Sequence, residues 1–330
     1  MPNFTLFGIT RGLHSYPCSL LLATCYLFRY DYTMKTIKQL ALIGPTASGK
    51  TALSIKIAQK MNAYILSIDS LSIYKEIDIV SAKPTLEERE GIEHFGLDYL
   101  YPNESFDVTT FVKLYHEVYN KASQERKNLV IVGGTSFYLK MLIEGISTLP
   151  PISDTTKSET KKYLLNLQQT YQWLYNMDPE YMGKIAANDP YRIEKALHIY
   201  FETKLTPTVY FKQFPPQPTI TAPLPIYQID SERDRLRERI ALRTKMMVEN
   251  GLIDEICALE KKYSRTPNCM KAIGIKETLA YLDGVYDKEL LIEKITTNTA
   301  RLAKRQKTFN NSQFDNVVKG SVEELERILL

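Results

Sequence analysis

Along the chain, short unbroken apolar runs alternate with longer stretches whose apolar residues recur every three or four positions. Residues 37–43 (IKQLALI) form the first run, which stops at a glycine. A helical period follows over 48–61, with Ile55, Ala58 and Met61 on one stripe. Residues 63–68 (AYILSI) are the second run and end at Asp69. Residues 106–125 are again helical in period, with Asp107 placed to cap the first turn. Residues 128–132 (NLVIV) form the third run, stopped by Gly133 and Gly134 before a helix over 135–144. Short runs that are apolar at every position suit strands buried on both faces. Their alternation with helices predicts a parallel sheet covered by helices.

The pattern changes after Gly145. Pro150 and Pro151 break the chain, and 154–203 is helical in character with no strand candidate. The prolines from Pro215 to Pro225 mark a connector. Residues 225–230 (PIYQID) read as one more strand. A helix over 231–250 follows, with Ser231 and Asp234 at capping-box spacing and Gly251 at its end. Further helices are expected around Lys276 and over 298–310. The expected organisation is a core of residues 34–145 and 206–330, interrupted by a helical insertion of 146–205. The first 33 residues contain an apolar stretch too short to span a bilayer comfortably. Met34 stands just before the first strand, so residues 1–33 are expected to be dispensable.

Composition narrows the classes without choosing among them. The chain has 330 residues, 44% hydrophobic and 24% charged, with a formal net charge of +4. Such mild basicity permits a nucleic-acid partner without demanding one. Cys18, Cys25, Cys257 and Cys269 form no CxxC pair, which argues against a zinc site or a disulfide framework. A soluble cytoplasmic monomer is expected, with no membrane association.

The chemistry begins at residues 44–51. Gly44, Pro45, Thr46, Ala47, Ser48, Gly49, Lys50 and Thr51 fit G-x-x-x-x-G-K-[ST] between an expected strand and an expected helix. Glycines let the backbone curl so that its N–H groups face an anion, and the helix N-terminus adds positive potential. Lys50 adds a mobile charge, and Thr51 offers a hydroxyl to Mg²⁺. The fold class is therefore α/β, a P-loop NTPase-like parallel sheet flanked by helices, with a helical insertion. Most nucleotidases of this kind carry an acid at the end of a later strand, yet 128–132 ends in glycines. The conspicuous acid is Asp69, at the end of the second strand, where a doubly wound sheet faces its ligand crevice. A carboxylate beside a diphosphate suits proton abstraction from an incoming nucleophile. Asp69 also suits the capping of residues 70–75. Lys83 reads as a solvated loop charge. A small-molecule kinase, a prenyltransferase of free adenine nucleotides and a non-catalytic RNA-binding protein all remain open at this level.

Six segments in order resemble the motif set of bacterial tRNA dimethylallyltransferases: GPTASGKT, SIDSLSIYKEIDIVSAKPT, IVGGTSFYLKMLIEGIS, NDPYRIEKALHIYFETK, AIGIKETLAYLDG and TARLAKRQKTF. The resemblance covers residues 38–309. It implies transfer of a dimethylallyl group from dimethylallyl diphosphate to N6 of adenosine-37 in tRNA, with Mg²⁺. The loop from Thr46 to Thr51 would hold the diphosphate, Asp69 would be the general base, and Thr46 and Thr135 would be further catalytic residues. Asp69, Ser70, Leu71 and Ser72 would contact the tRNA, as would Tyr191 and Arg192. The insertion would grip the anticodon stem. An aromatic-rich pocket is expected to shelter the cationic prenyl fragment. The chain departs from the family pattern in three places. Lys157 stands near the usual arginine, Val80 replaces a usual glycine, and Phe309 stands where tryptophan is common.

Two basic helices complete the inventory. The arginines at 233, 235, 237, 239 and 243 are diluted by Glu232, Asp234 and Glu238, which predicts a solvated, salt-bridged face. Arg301, Lys304 and Arg305 are diluted only by neutral residues and lie near Phe309, which predicts contact with RNA phosphate and base.

Overall fold

The computed structural model describes residues 36–330, so the expectations for residues 1–33 and Met34 lie outside it. Strand β1 (Gln39–Ile43) is followed by α1 (Lys50–Met61), β2 (Ala63–Ser67), β3 (His94–Phe95), α2 (Val108–Gln124), β4 (Asn128–Gly133) and α3 (Phe137–Glu144). Five helices come next: α4 (Asp154–Leu164), α5 (Leu167–Met177), α6 (Pro179–Met182), α7 (Pro190–Thr203) and α8 (Pro207–Gln213). The chain then returns through β5 (Ile226–Ile229), α9 (Arg233–Glu249), α10 (Leu252–Tyr263), α11 (Ile275–Leu282), α12 (Lys288–Gln313), β6 (Val318–Gly320) and α13 (Val322–Leu329).

The strands form a six-stranded sheet in the order β3-β2-β4-β1-β5-β6, parallel at every pairing. Their unbroken apolar runs follow from burial on both faces. Leu40, Leu42, Ala63, Ile65, Val130 and Val132 pack on the side of α1 and α13. Ala41, Ile43, Tyr64, Leu66, Leu129 and Ile131 pack on the side of α2, α3, α10 and α11. Because β1 is central, the loop leaving Ile43 opens between the C-terminal ends of β4 and β5. Asp107 caps α2 by accepting from Thr110 N at 2.8 Å.

Several expectations are corrected. Ser231 and Asp234 form no capping box: α9 begins at Arg233, and no side chain caps it. The helical insertion continues past residue 205, because α8 docks on it through Asp178, whose carboxylate accepts from Thr208 N at 2.7 Å and Thr208 Oγ1 at 2.6 Å. Its core is Leu174, Met182, Ile185, Ile193, Ala196 and Leu197, rimmed by Tyr163, Trp173 and Phe201. The two-residue β3 and three-residue β6 had no sequence signal, since each is too short for a period to show. Helices α10 and α13 were also not anticipated.

Candidate active site

The loop after β1 curls because Ala47 and Gly49 take left-handed backbone conformations, with φ of 62° and 96°. At Gly49 a side chain would also meet Val322 Cγ2 at 3.3 Å. No side chain caps α1, which leaves its first amides free to face an anion. Lys50 folds back, its Nζ donating to Pro45 O at 2.6 Å. Ser48 Oγ is buried and has no partner among the described residues.

The loop forms one wall of a cavity of about 440 Å³. Thr46, Ala47, Ser48, Gly49, Lys50 and Thr51 line it, and so do Asp69 and Ser72 across the gap. Asp69 is half-buried at the end of β2. Its Oδ1 accepts from Leu71 N at 2.8 Å and Ser72 N at 3.1 Å, so it caps the turn after β2. Oδ2 accepts no hydrogen bond among the described residues. The carboxylate is thus anchored by one oxygen and free at the other.

Two arginines from α9 complete the charge pattern. Arg239 and Arg243 lie one turn apart and both line the cavity. The expected salt-bridged face is not formed: among the described residues, none of the five arginines of α9 makes an ion pair with a carboxylate. Burial pushes Lys50 down from 10.5 to about 7; Asp69 opposes this, while Arg243 and Arg239 add to it. Burial also lowers Arg243, against the pull of Asp69. These are the marks of a cationic cradle in which the nearby carboxylate of Asp69 does not offset burial.

Gln306 of α12 closes one side. Its Oε1 accepts from Thr46 N at 2.9 Å. A Cβ on Gly134 would lie 2.6 Å from Gln306 Nε2, so the end of β4 stays bare where this side chain crosses it. The apolar part of the wall is aliphatic: Ile65, Leu97, Val132, Leu242 and Met246. Among the described residues the expected aromatic-rich pocket is not formed, and His94 supplies the only aromatic ring in the lining.

Other expected site residues lie elsewhere. Gly44 and Pro45 shape the loop without lining the cavity, and Ser70 and Leu71 turn away from it. Thr135 is half-buried beyond Gly134 and is not part of the wall; its carbonyl accepts from Tyr138 N at 3.3 Å. Tyr191 and Arg192 sit in the first turn of α7, exposed on the insertion, where Arg192 pairs with Asp189. Arg301, Lys304 and Arg305 face solvent on α12. Lys157 pairs with Asp154 at 2.8 Å on the exposed surface of α4. Lys83 is not solvated: its side chain is 4% exposed and holds Asp78 and Asp98, each at 2.6 Å, with Tyr74 O at 2.8 Å.

Among the described residues that line the cavity, the Thr51 hydroxyl and the Asp69 carboxylate are hard oxygen donors of the kind that suits Mg²⁺. No cluster of three or more His, Cys, Asp or Glu among the described residues could hold a metal unaided. Such a sparse, hard donor set fits an ion that takes most of its coordination from a diphosphate and water.

The chain is similar to known proteins over most of its length. The family model of the IPP transferases matches residues 72–313. A tRNA dimethylallyltransferase of Sulfurovum sp. (strain NBC37-1) is 71% identical over 294 residues, which cover 89% of this chain and 98% of that protein. The chain belongs to the IPP transferase family. Two solved structures agree with this membership. The full-length tRNA isopentenylpyrophosphate transferase of Bacillus halodurans matches with a TM-score of 0.65 at 30% identity, over 89% of this chain and 96% of that one. A eukaryotic dimethylallyltransferase acting on tRNA matches with a TM-score of 0.74 at 26% identity, over 86% and 74%. In this IPP transferase the family match begins at Ser72, just beyond the phosphate loop and Asp69. The residues that reading the sequence missed are Arg239, Arg243 and Gln306. A signal for the arginines was present: neither has an acidic residue three or four positions away on α9, so neither could pair within the helix. Gln306 had no such signal, because only the packing of α12 against the loop turns it inward.

Proposed function

We propose that this chain transfers a dimethylallyl group from dimethylallyl diphosphate to N6 of adenosine-37 in tRNA, working in the cytoplasm as a monomer. The observation that carries the reading is that the phosphate loop, two unpaired arginines and an anchored carboxylate line one cavity. The diphosphate lies in the loop against the first amides of α1, with Lys50, Arg239 and Arg243 around it. The Thr51 hydroxyl would hold Mg²⁺, which would supply charge neutralisation at the leaving group. The C1–O bond of the donor breaks, and its electron pair leaves with the diphosphate, where the loop amides and the three cationic side chains stabilise it. N6 of an extruded adenosine forms the new bond to C1, and its proton passes to the free oxygen of Asp69. Leu97, Leu242 and Met246 give the prenyl chain an aliphatic wall that keeps water from the developing cation. The donor, the metal and these residue roles rest on geometry and chemistry together with the family membership.

No helix among the described residues is long and apolar enough to cross a membrane. The basic face of α12 and the exposed Tyr191 and Arg192 give the anticodon stem-loop places to bind. Incubation with bulk tRNA and dimethylallyl diphosphate, followed by nuclease digestion and mass spectrometry, is expected to yield isopentenyladenosine. Phosphoryl transfer from labelled ATP, with no prenylated nucleoside formed, would overturn the reading in favour of a kinase.

A further inference from the structure

The wall of the cavity opposite the phosphate loop is a short irregular segment, residues 78–84, of which Ser81, Ala82 and Pro84 touch the cavity. It has no ladder partner to hold it, and Ala82 sits in a left-handed conformation with φ of 48°. Turn hydrogen bonds of its own close it, Ala82 N donating to Ile79 O at 3.0 Å and Lys83 N to Asp78 O at 3.1 Å, while its first amides are held from outside. Glu255, in the first turn of α10, accepts three consecutive backbone N–H groups: Asp78 N at 2.9 Å and Ile79 N at 2.7 Å on Oε2, and Val80 N at 3.0 Å on Oε1. Consecutive amides converging on one point make an anion-binding nest, and here the protein fills the nest with its own carboxylate. Two further anchors act on the same segment. Lys83 grips Asp78, Asp98 and Tyr74 O from the far side. Val80 is buried against Gly274, where a Cβ would lie 2.4 Å from Val80 Cγ2. With these contacts made, Ser81, Ala82 and Pro84 form this wall of the cavity. The Ser81 carbonyl lies 3.5 Å from Arg243 Nη2.

We infer that Glu255 is a positioning residue of the active site: by holding the amides of Asp78, Ile79 and Val80, it fixes the Ser81–Ala82 wall and thereby the orientation of Arg243 toward the diphosphate. The inference rests on the proposed reading of the cavity as a diphosphate site. A carboxylate suits the role because all three partners are donors, whereas a glutamine of the same size presents an NH₂ to at least one of them.

The test compares wild type, Glu255→Gln, Glu255→Asp and Glu255→Ala. Dimethylallyl diphosphate binding and steady-state kinetics are measured beside amide hydrogen exchange of residues 78–82. Glu255→Gln is expected to raise the KM for dimethylallyl diphosphate roughly tenfold, with the KM for tRNA within about twofold, and to speed exchange at Asp78, Ile79 and Val80. Glu255→Asp is expected to recover part of both effects. A uniform fall in kcat that tracks loss of thermal stability, with both KM values unchanged, would make Glu255 merely structural and overturn the inference. So would slow exchange at 78–80 in Glu255→Ala. Exchange in the wild-type protein remains decisive if a variant fails to fold: unprotected amides at 78–80 would sink the inference. The wild-type assay stands apart, because failure to bind dimethylallyl diphosphate at all would remove the underlying reading instead.

Discussion

In the proposed reaction, two side chains of the cavity have opposite tasks. Asp69 spends one oxygen on the amides of Leu71 and Ser72 and keeps the other for a ligand. Capping and proton abstraction are therefore compatible roles, divided between two atoms. Asp69→Asn keeps an oxygen for the turn and removes the base. Transfer to tRNA is expected to fall by on the order of 10²- to 10⁴-fold while tRNA binding is retained; activity within a few-fold of wild type would remove Asp69 from that role. Lys50 is held at about 7 in the ligand-free cradle, chiefly by burial. Between that value and 10.5 the unfolded chain binds more protons than the folded one, so this lysine makes the ligand-free protein more stable as pH rises through that window. An entering diphosphate restores the proton, so donor affinity is expected to weaken as pH rises above about 7. Calorimetry at pH 8 in buffers of different ionisation enthalpy should show proton uptake on binding, and Lys50→Arg should abolish it. Binding without uptake in the wild type would contradict this account.

At the scale of the element, α12 carries two faces. Ala303 and Asn310 are buried and Gln306 turns in to Thr46 N, while Arg301, Lys304 and Arg305 face solvent. Steps of 100° per residue allow one helix to brace the phosphate loop and offer a basic strip at once. Changing Arg301, Lys304 and Arg305 together to glutamine is expected to weaken tRNA binding. It should also lower the slope of log affinity against log salt by about two to three, since each lost phosphate contact removes about 0.7–0.9. An unchanged slope across a salt titration would place the tRNA elsewhere. The α9 helix makes the converse point. Its arginines looked like a dispersed surface set; Arg233, Arg239 and Arg243 all lack an acidic residue three or four positions away on the helix, and the fold turns Arg239 and Arg243 into the cavity.

On the scale of the whole molecule, α8 is tied into the insertion through Asp178. Burial by itself would raise this carboxyl; hydrogen bonds from Thr208 and Tyr181 outweigh it and hold Asp178 below its usual range. Its contribution is present above the ordinary carboxylate pKa and lost as pH falls through the depressed folded value. Asp178→Ala is expected to cost about 1–3 kcal/mol of stability in urea unfolding at neutral pH, because three donors lose their acceptor. A change below about 0.5 kcal/mol would show that α8 is held by other contacts.

The sequence by itself determined the parts whose physics is local. Unbroken apolar runs specify strands buried on both faces, the 44–51 motif specifies an anion cradle, and Asp107 caps its helix through a side chain three residues from its partner. Asp69 was legible because a strand end in a parallel sheet faces the crevice whichever helices cover it. Tertiary structure alone decided the rest. Short edge strands such as β3 carry too few residues for a period, and the aliphatic character of the cavity wall is set by which side chains converge from β2, β4, α9 and the segment after β3. Gln306 and Glu255 act on segments 260 and 175–177 residues away in the chain. No pattern within one helix specifies which backbone amides it will meet across the fold, because that depends on how the layers stack.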